Sequence, residues 1–349
     1  MSKNCGKSAA APLITLAISM RLVWLLSIEY TQASNAAWLC PLIGFIMYLP
    51  VVFAIKLISK DNCSGNERIF IKHKAADVFL SAIIASALII DASSCIRLLS
   101  NTANIMALGE VPLWLLALPV GLLIFFCCKI GLEAGGFSAR IWIKIAIPLI
   151  VIMILVQFGE YRPSWLMPVF GGGFSAIMGG GLRCAGVISL LSLPWIFCIE
   201  DKSHSSPARF AIWGALSASA VLALLAALAP ALIHTEQTST ARIEILLSNG
   251  RVHLMLQLIT VVLWFGALLH LLNMLCCSAV TILSTAVAEA PKCLLPAMIA
   301  SAATLLAVFA KKLSGAFSAC YGSCVYPAVC ILLIVGIFTK YFNRKDQPA

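Results

Sequence analysis

The chain has 349 residues, of which 61% are hydrophobic and 11% charged, and its formal net charge is +10. A soluble protein carries roughly 25% charged residues, so this balance, with a mean hydropathy of +1.01, excludes a water-soluble globular domain and makes the bilayer the solvent. The apolar segments are continuous rather than alternating every second residue, which favours helices over a barrel and predicts an all-α integral membrane protein.

Ten transmembrane helices are predicted, at 12–29, 36–57, 75–99, 111–128, 139–158, 182–199, 209–233, 252–284, 293–310 and 323–342. The first is too long to be a cleaved signal peptide, and no clean small-x-small site follows it. Sixteen Lys and Arg lie in the N-terminus, the even-numbered loops and the C-terminus, against five in the odd-numbered loops: Arg162, Arg242, Arg251, Lys311 and Lys312. Arg21, Arg97 and Arg183 fall within or at the edge of spans. This asymmetry predicts a multi-pass protein of the cell membrane with both termini cytoplasmic. The basic charge is then topological, and no nucleic-acid partner is expected. The polar stretches Ser59–Lys74 and His234–Arg251 are too short to enclose a core, so 1–349 reads as a single transmembrane domain.

The fourteen cysteines show no metal spacing, and neither metal nor cofactor is expected. The pairs Cys127–Cys128 and Cys276–Cys277 fall inside spans, where thiols act as small apolar packers. Cys320 and Cys324, placed near the outer face, are spaced for a cross-link or for one helical turn. The sequon at Asn62 faces the cytoplasm on this topology and carries no meaning.

Polar residues inside spans are the informative ones, because an ionisable group at mid-membrane costs about 2.5–3.5 kcal/mol on insertion scales. Arg21 sits halfway along the first span in "TLAISMRLVWLLSIEY". It contacts either an anionic ligand group, such as a carboxylate, or an internal partner. Asp91 is the natural candidate for that partner, although rise counting sets it about 10 Å nearer the outer face. Ala87, Asp91, Ser94 and Cys95 share one helical face, a small and polar stripe that packs helices closely or lines a cavity. Arg97, near the outer end of the same span, snorkels to the interface. In the eighth span Gly266, His270, Asn273 and Cys277 recur on one face. His270 reads either as hydrogen-bonded structure or as a cavity-lining group able to carry protons.

Between spans five and six lies "LMPVFGGGFSAIMGGGLRCAG". The first glycine triplet reads as a turn and "FSAIM" as a short interfacial helix. The second triplet, Gly179, Gly180 and Gly181, leads into the sixth span, with Arg183 at its mouth and Gly186 as a further weak point. The stretch is either an outer gate hinged beside an anion-attracting helix start, or a plain extracellular loop.

The ordered motifs "YRPSWLMPVFGGGFSAIMGGGL" and "AGVISLLSLPWIFCIEDK" resemble the loop and sixth span of the GerAB-type spore germination family. Pro168, Gly171–Gly173, Gly179–Gly181 and Pro194 stand at the matching places. "KIGLEAGGFSARIWIKIAIPLI", with Gly131, Leu132, Glu133 and Arg140, resembles that family's loop before span five. "LITLAISMRLVWLLS" with "NAAWLCPLIGFIMYLPV" resembles its opening hairpin, and Trp264 its eighth span.

The resemblance implies the amino acid–polyamine–organocation superfamily and a LeuT-like core of two inverted five-helix repeats, here 12–158 and 174–342. It also implies a midplane site between helices one and six, with three and eight alongside. That would gather Arg21, Asp91, Ser94, Cys95, Gly186, Val187, His270 and Asn273 around one ligand cavity. Such proteins bind small nutrients, amino acids above all, as the membrane sensor of a germinant receptor or as secondary transporters. A sensor would lie in the inner spore membrane beside other receptor subunits. Two departures stand out. No glycine occurs from Pro12 to Gln32, where the family's first helix unwinds, and Gly186 is followed by Val187 and Ile188 where an acidic residue is common. No Gly-x-Ser-x-Gly, no HExxH and no paired intraspan carboxylates point to an enzyme.

Overall fold

The computed structural model describes residues 7–29, 32–60, 74–104, 111–157, 163–166, 172–198, 207–228, 254–286 and 293–334. They form helices and no strand. α1 (Lys7–Trp24) continues into a π-helical turn, Leu25–Glu29, and a 3-10 turn, Ser34–Leu39, leads to α2 (Cys40–Lys60). There follow α3 (Lys74–Ala103), α4 (Leu113–Ile130), α5 (Leu132–Gln157), α6 (Phe174–Cys198) and α7 (Pro207–Leu228). Then come α8 (Leu254–Ala286), α9 (Leu294–Phe309) and α10 (Lys311–Cys320), which runs through a second π-helical turn, Tyr321–Val325, into α11 at 326–334.

Eight of these helices are long and apolar enough to cross a membrane, and the shorter apolar helices Ala208–Leu224 and Leu294–Phe309 stand at the seventh and ninth predicted spans. The chain is therefore an all-α, multi-pass membrane protein. α1 and α6 form its centre, with 67% and 72% of their membrane windows buried, whereas α4 and α5 are 22% buried and form the rim. α6 packs on α2, α7 and the second π turn, α1 on α5, α7 and α8, α3 on α8 and α9, and α4 on α9.

Besides α1, which begins at Lys7 and not at residue 12, three boundaries differ from the sequence reading. α5 begins at Leu132, so Glu133 lies in a helical first turn, not in a loop. α6 begins at Phe174, so "FSAIM" and the second glycine triplet lie inside one continuous helix rather than before it. The last crossing is Ala316–Ile334, some seven residues earlier than expected, and it places Cys320 and Cys324 on consecutive turns of one helical run. The cause is common to all three. Runs rich in glycine, serine and alanine read as loop on a propensity scale, yet in a membrane they are helix where a neighbour packs closely. An added Cβ at Gly44 would meet Cys184 Cβ, and one at Gly181 would stand 2.5 Å from Ile43 Cγ2, which is how α2 and α6 approach so closely. Residues 61–73 and 229–253, with Asn62 and His234, lie outside the described residues.

Two glycines are required by backbone geometry. Gly131 closes α4 at φ 102°, its N–H donating to the Cys127 carbonyl at 2.9 Å, and Gly173 starts α6 at φ 81°. Both values lie in the left-handed region that side-chain-bearing residues avoid.

Candidate functional site

The centre of the bundle holds a charge pair. Arg21 Nε donates to Asp91 Oδ1 at 3.0 Å and to Oδ2 at 3.3 Å, and both side chains are 0% exposed. The guanidinium also donates through an Nη to Ser318 Oγ of α10 at 3.3 Å. It lies 4.2 Å from the Trp24 ring centre and 5.0 Å from that of Tyr321. A single arginine thus ties α1 to α3 and α10, its charge neutralised by a carboxylate and covered by two aromatic faces.

The 10 Å offset expected between Arg21 and Asp91 does not exist. α1 begins at Lys7, not at residue 12, so Arg21 is fourteen residues into its helix and Asp91 seventeen into α3. At about 1.5 Å per residue that difference is within side-chain reach. Both π turns adjoin the cluster: Leu25–Glu29 follows Trp24 directly, and Tyr321–Val325 begins at Tyr321 itself. The first helix therefore changes its winding without any glycine, and Ser27 Oγ donates to the Val23 carbonyl there at 2.6 Å. A π turn in a membrane helix is a frequent mark of a functional position.

The other predicted site residues divide. Ser94 Oγ donates to the Ile90 carbonyl of its own helix, and Cys95 Sγ to the Leu268 carbonyl of α8 at 3.5 Å, so this face of α3 is used for packing. Gly186 is a close approach, because a Cβ there would collide with the backbone carbonyl of Tyr321, while the neighbouring Val187 is 0% exposed. His270 and Asn273 turn away from Arg21. His270 Nδ1 bonds the Gly266 carbonyl at 2.7 Å, Nε2 meets Ser138 Oγ at 3.1 Å, and the ring stacks on Trp142 of α5 with centres 6.0 Å apart. Asn273 Oδ1 accepts from Cys277 Sγ at 2.9 Å, and its Nδ2 would stand 2.5 Å from a Cβ at Gly135 of α5. The polar face of α8 is thus a seam with α5, and the structure does not bring it to the Arg21–Asp91 pair. Among the described residues no group of His, Cys, Asp or Glu could hold a metal ion.

Open space lies instead at the end of the bundle where α1 passes to α2 and α6 begins. A cavity of about 600 Å³ is lined by Gln32, Gly172, Ser175, Ala176, Gly179 and Arg183. Gly172 is needed there, since a Cβ would fall 2.5 Å from the Gln32 carbonyl oxygen. The first turn of α6 turns its amide groups to this end, and Arg183 supplies a cation two turns further in. Arg183 also packs against Gly322, whose absent Cβ would lie 3.2 Å from Arg183 Cγ. Tyr321, fully buried, has one neighbour in the chain facing Arg183 and its own ring over Arg21.

The sequence did not single out Ser318, Tyr321, Trp24, Gln32 or Ser175. The available sign for Ser318 and Tyr321 was "SACYGSC", two serines and two cysteines around a tyrosine in the last apolar run, small side chains that admit close polar neighbours.

This is a polytopic helical membrane protein in which a buried ion pair joins α1 to α3 and an open cavity carries one arginine in its lining. The Spore_permease family model, described as spore germination protein, matches residues 12–314, and the chain belongs to that family. No match is found among curated proteins.

Proposed function

We propose that the chain is the membrane-embedded, nutrient-binding subunit of a spore germination receptor, that its cavity faces outward, and that it takes a small carboxylate-bearing nutrient, an amino acid first of all. The observation that carries this reading is the cavity itself. It has room for an amino acid and presents Arg183 and the start of α6, both suited to a carboxylate. On this reading α6 gives at Gly179 and Gly180, beside the packed Gly181, and movement at Gly322 passes through the second π turn to Ser318, Arg21 and Asp91. Both termini face the cytoplasm, the membrane is the inner spore membrane, and other receptor subunits read the change.

The inverted 5+5 repeat is supported by the pattern of helix pairs. Exchanging each of the first five helices with its counterpart five later turns α1–α7 into α2–α6, and α1–α5 into the pairing of α6 with the last span. The same exchange turns α3–α4 into α8–α9 and α3–α9 into α4–α8.

Secondary transport is the second reading, favoured by the π turn at Leu25–Glu29, which interrupts the first helix where transporters of this kind unwind. Continuous α6 favours the sensor.

The two are separated by one experiment. Purified protein is screened for thermal stabilisation by amino acids, sugars and nucleosides, and each stabilising compound is tested for uptake into proteoliposomes. Stabilisation without uptake supports the sensor, stabilisation with uptake the transporter, and no stabilisation by any compound contradicts both. Arg183→Gln is expected to weaken a stabilising amino acid about tenfold or more, the loss of a charge-assisted bond, with the ligand-free melting temperature recorded beside it. An unchanged affinity would remove Arg183 from the site.

A further inference from the structure

The rim helix α5 carries a cation where a lipid-facing surface should have none. Lys144 is exposed, and among the described residues it makes no ion pair. Its depth follows from the chain on either side. α4 has 18 residues, about 27 Å at 1.5 Å each, so its whole length is needed to cross a hydrocarbon core of roughly 30 Å. The Gly131 turn at its end therefore lies at a membrane boundary. Lys144 is twelve residues beyond Leu132, about 18 Å into the same core. That is close to the midplane, beyond easy snorkelling to either side, so Lys144 is a span residue and leaves the count of cytoplasmic-side charges in which the sequence reading placed it.

Exposed apolar side chains on α5 (Phe137, Ile141, Ile145, Ile152 and Leu155) are what lipid contact requires and carry no message by themselves. The lysine among them does, because a lipid-facing cation at this depth costs about 2.5–3.5 kcal/mol unless an anion meets it. Arg140, one turn nearer the boundary, is placed differently: its guanidinium lies 5.8 Å from the Phe137 ring, back toward the Gly131 end.

A second copy cannot supply the anion. Among the described residues Asp91 is the acidic side chain at mid-depth, and it is fully buried against Arg21. Glu133 of a parallel copy would stand at the boundary, about 16 Å away from Lys144 by helix rise.

We propose that the Lys144 face of α5 docks a transmembrane helix of a different membrane protein, one that carries an aspartate or glutamate near its middle. The Lys144–carboxylate pair fixes the depth at which the two helices meet, and the apolar ridge supplies the packing. This inference is independent of the ligand reading above.

The test uses the full chain reconstituted in liposomes, labelled for energy transfer, with synthetic polyleucine transmembrane peptides carrying Asp, Asn, Lys or Leu at the central position. The Asp peptide is expected to associate about tenfold more tightly than the Leu peptide, with Asn well below Asp. Lys144→Gln is expected to erase that preference, and Lys144→Glu to transfer it to the Lys peptide, with melting temperatures unchanged because the side chain is exposed. Equal association of the Asp and Leu peptides, or an Asp preference that survives Lys144→Gln, overturns the proposal. Lys144-dependent association between two differently labelled copies of the chain would also overturn it, by giving the face to self-assembly.

Discussion

Asp91→Ala should destabilise the purified protein by about 3–5 kcal/mol, the usual cost of leaving one member of a buried ion pair without its partner. Among Arg21's other contacts are a neutral hydroxyl, Ser318, and two aromatic faces. None of these replaces a carboxylate at 3.0 Å in a site with no access to water. Arg21→Ala should be nearly as harmful, since it strands Asp91. The double variant Arg21→Met with Asp91→Leu should recover most of the loss, because an apolar replacement of the whole pair removes the desolvation cost along with the attraction. Thermal unfolding of the three variants in detergent, with expression level as a second readout, checks this. A stable Arg21→Ala that had lost only ligand binding would instead show that the arginine serves a ligand and that its bond to Asp91 carries little energy.

Gly186→Val should have the second largest effect, a loss of about 1–3 kcal/mol or more from overpacking. A Cβ at Gly186 meets the Tyr321 carbonyl oxygen, and backbone cannot rotate aside as a long side chain does. The obstruction falls at the π turn that holds Tyr321 over Arg21, so the ion-pair cluster should loosen with it. Gly181→Ala provides the contrast: its added methyl meets the Ile43 side chain, and the resulting loss should be smaller. Melting temperatures of the two variants decide the order, and equal losses would show that α6 shifts as a body instead of meeting a local obstacle.

Much of this could be read from the residues alone. Apolar run length gave the class, and the cost of a charge in lipid made Arg21 and Asp91 conspicuous before any partner was visible. Their pairing was named, and the 10 Å offset that stood against it came from a boundary error of five residues: α1 begins at Lys7, not at residue 12, which brings Arg21 level with Asp91. The face of α8 was a correct helical face with an unexpected neighbour. Periodicity states which residues share a side of a helix, but not which helix lies opposite, so His270 was grouped with Arg21 when Ser138 and Trp142 face it. The second glycine triplet was placed before the helix for a related reason, while the first is the turn it was read as. Composition does not separate a glycine that frees the backbone from one that admits a neighbour. Gly173, at φ 81°, is the first kind, whereas Gly172, Gly181 and Gly186 are the second. Ser318 and Tyr321 could be found only once the last span was shifted toward the N-terminus, because their partners are almost three hundred residues away in sequence.

The central claim is that the cavity beside Arg183 opens to the outside and holds the nutrient. It is tested most directly by placing a cysteine at Ser175, on the cavity wall, and measuring its labelling by a membrane-impermeant thiol reagent in right-side-out vesicles. Labelling of the unsubstituted chain is subtracted, because Cys293 and Cys324 are exposed. Labelling of Ser175→Cys from the outside, slowed in proportion to occupancy by the amino acid that stabilises the protein, is the expected result. Labelling only after the vesicles are inverted, or labelling that the stabilising amino acid does not slow, would contradict the account.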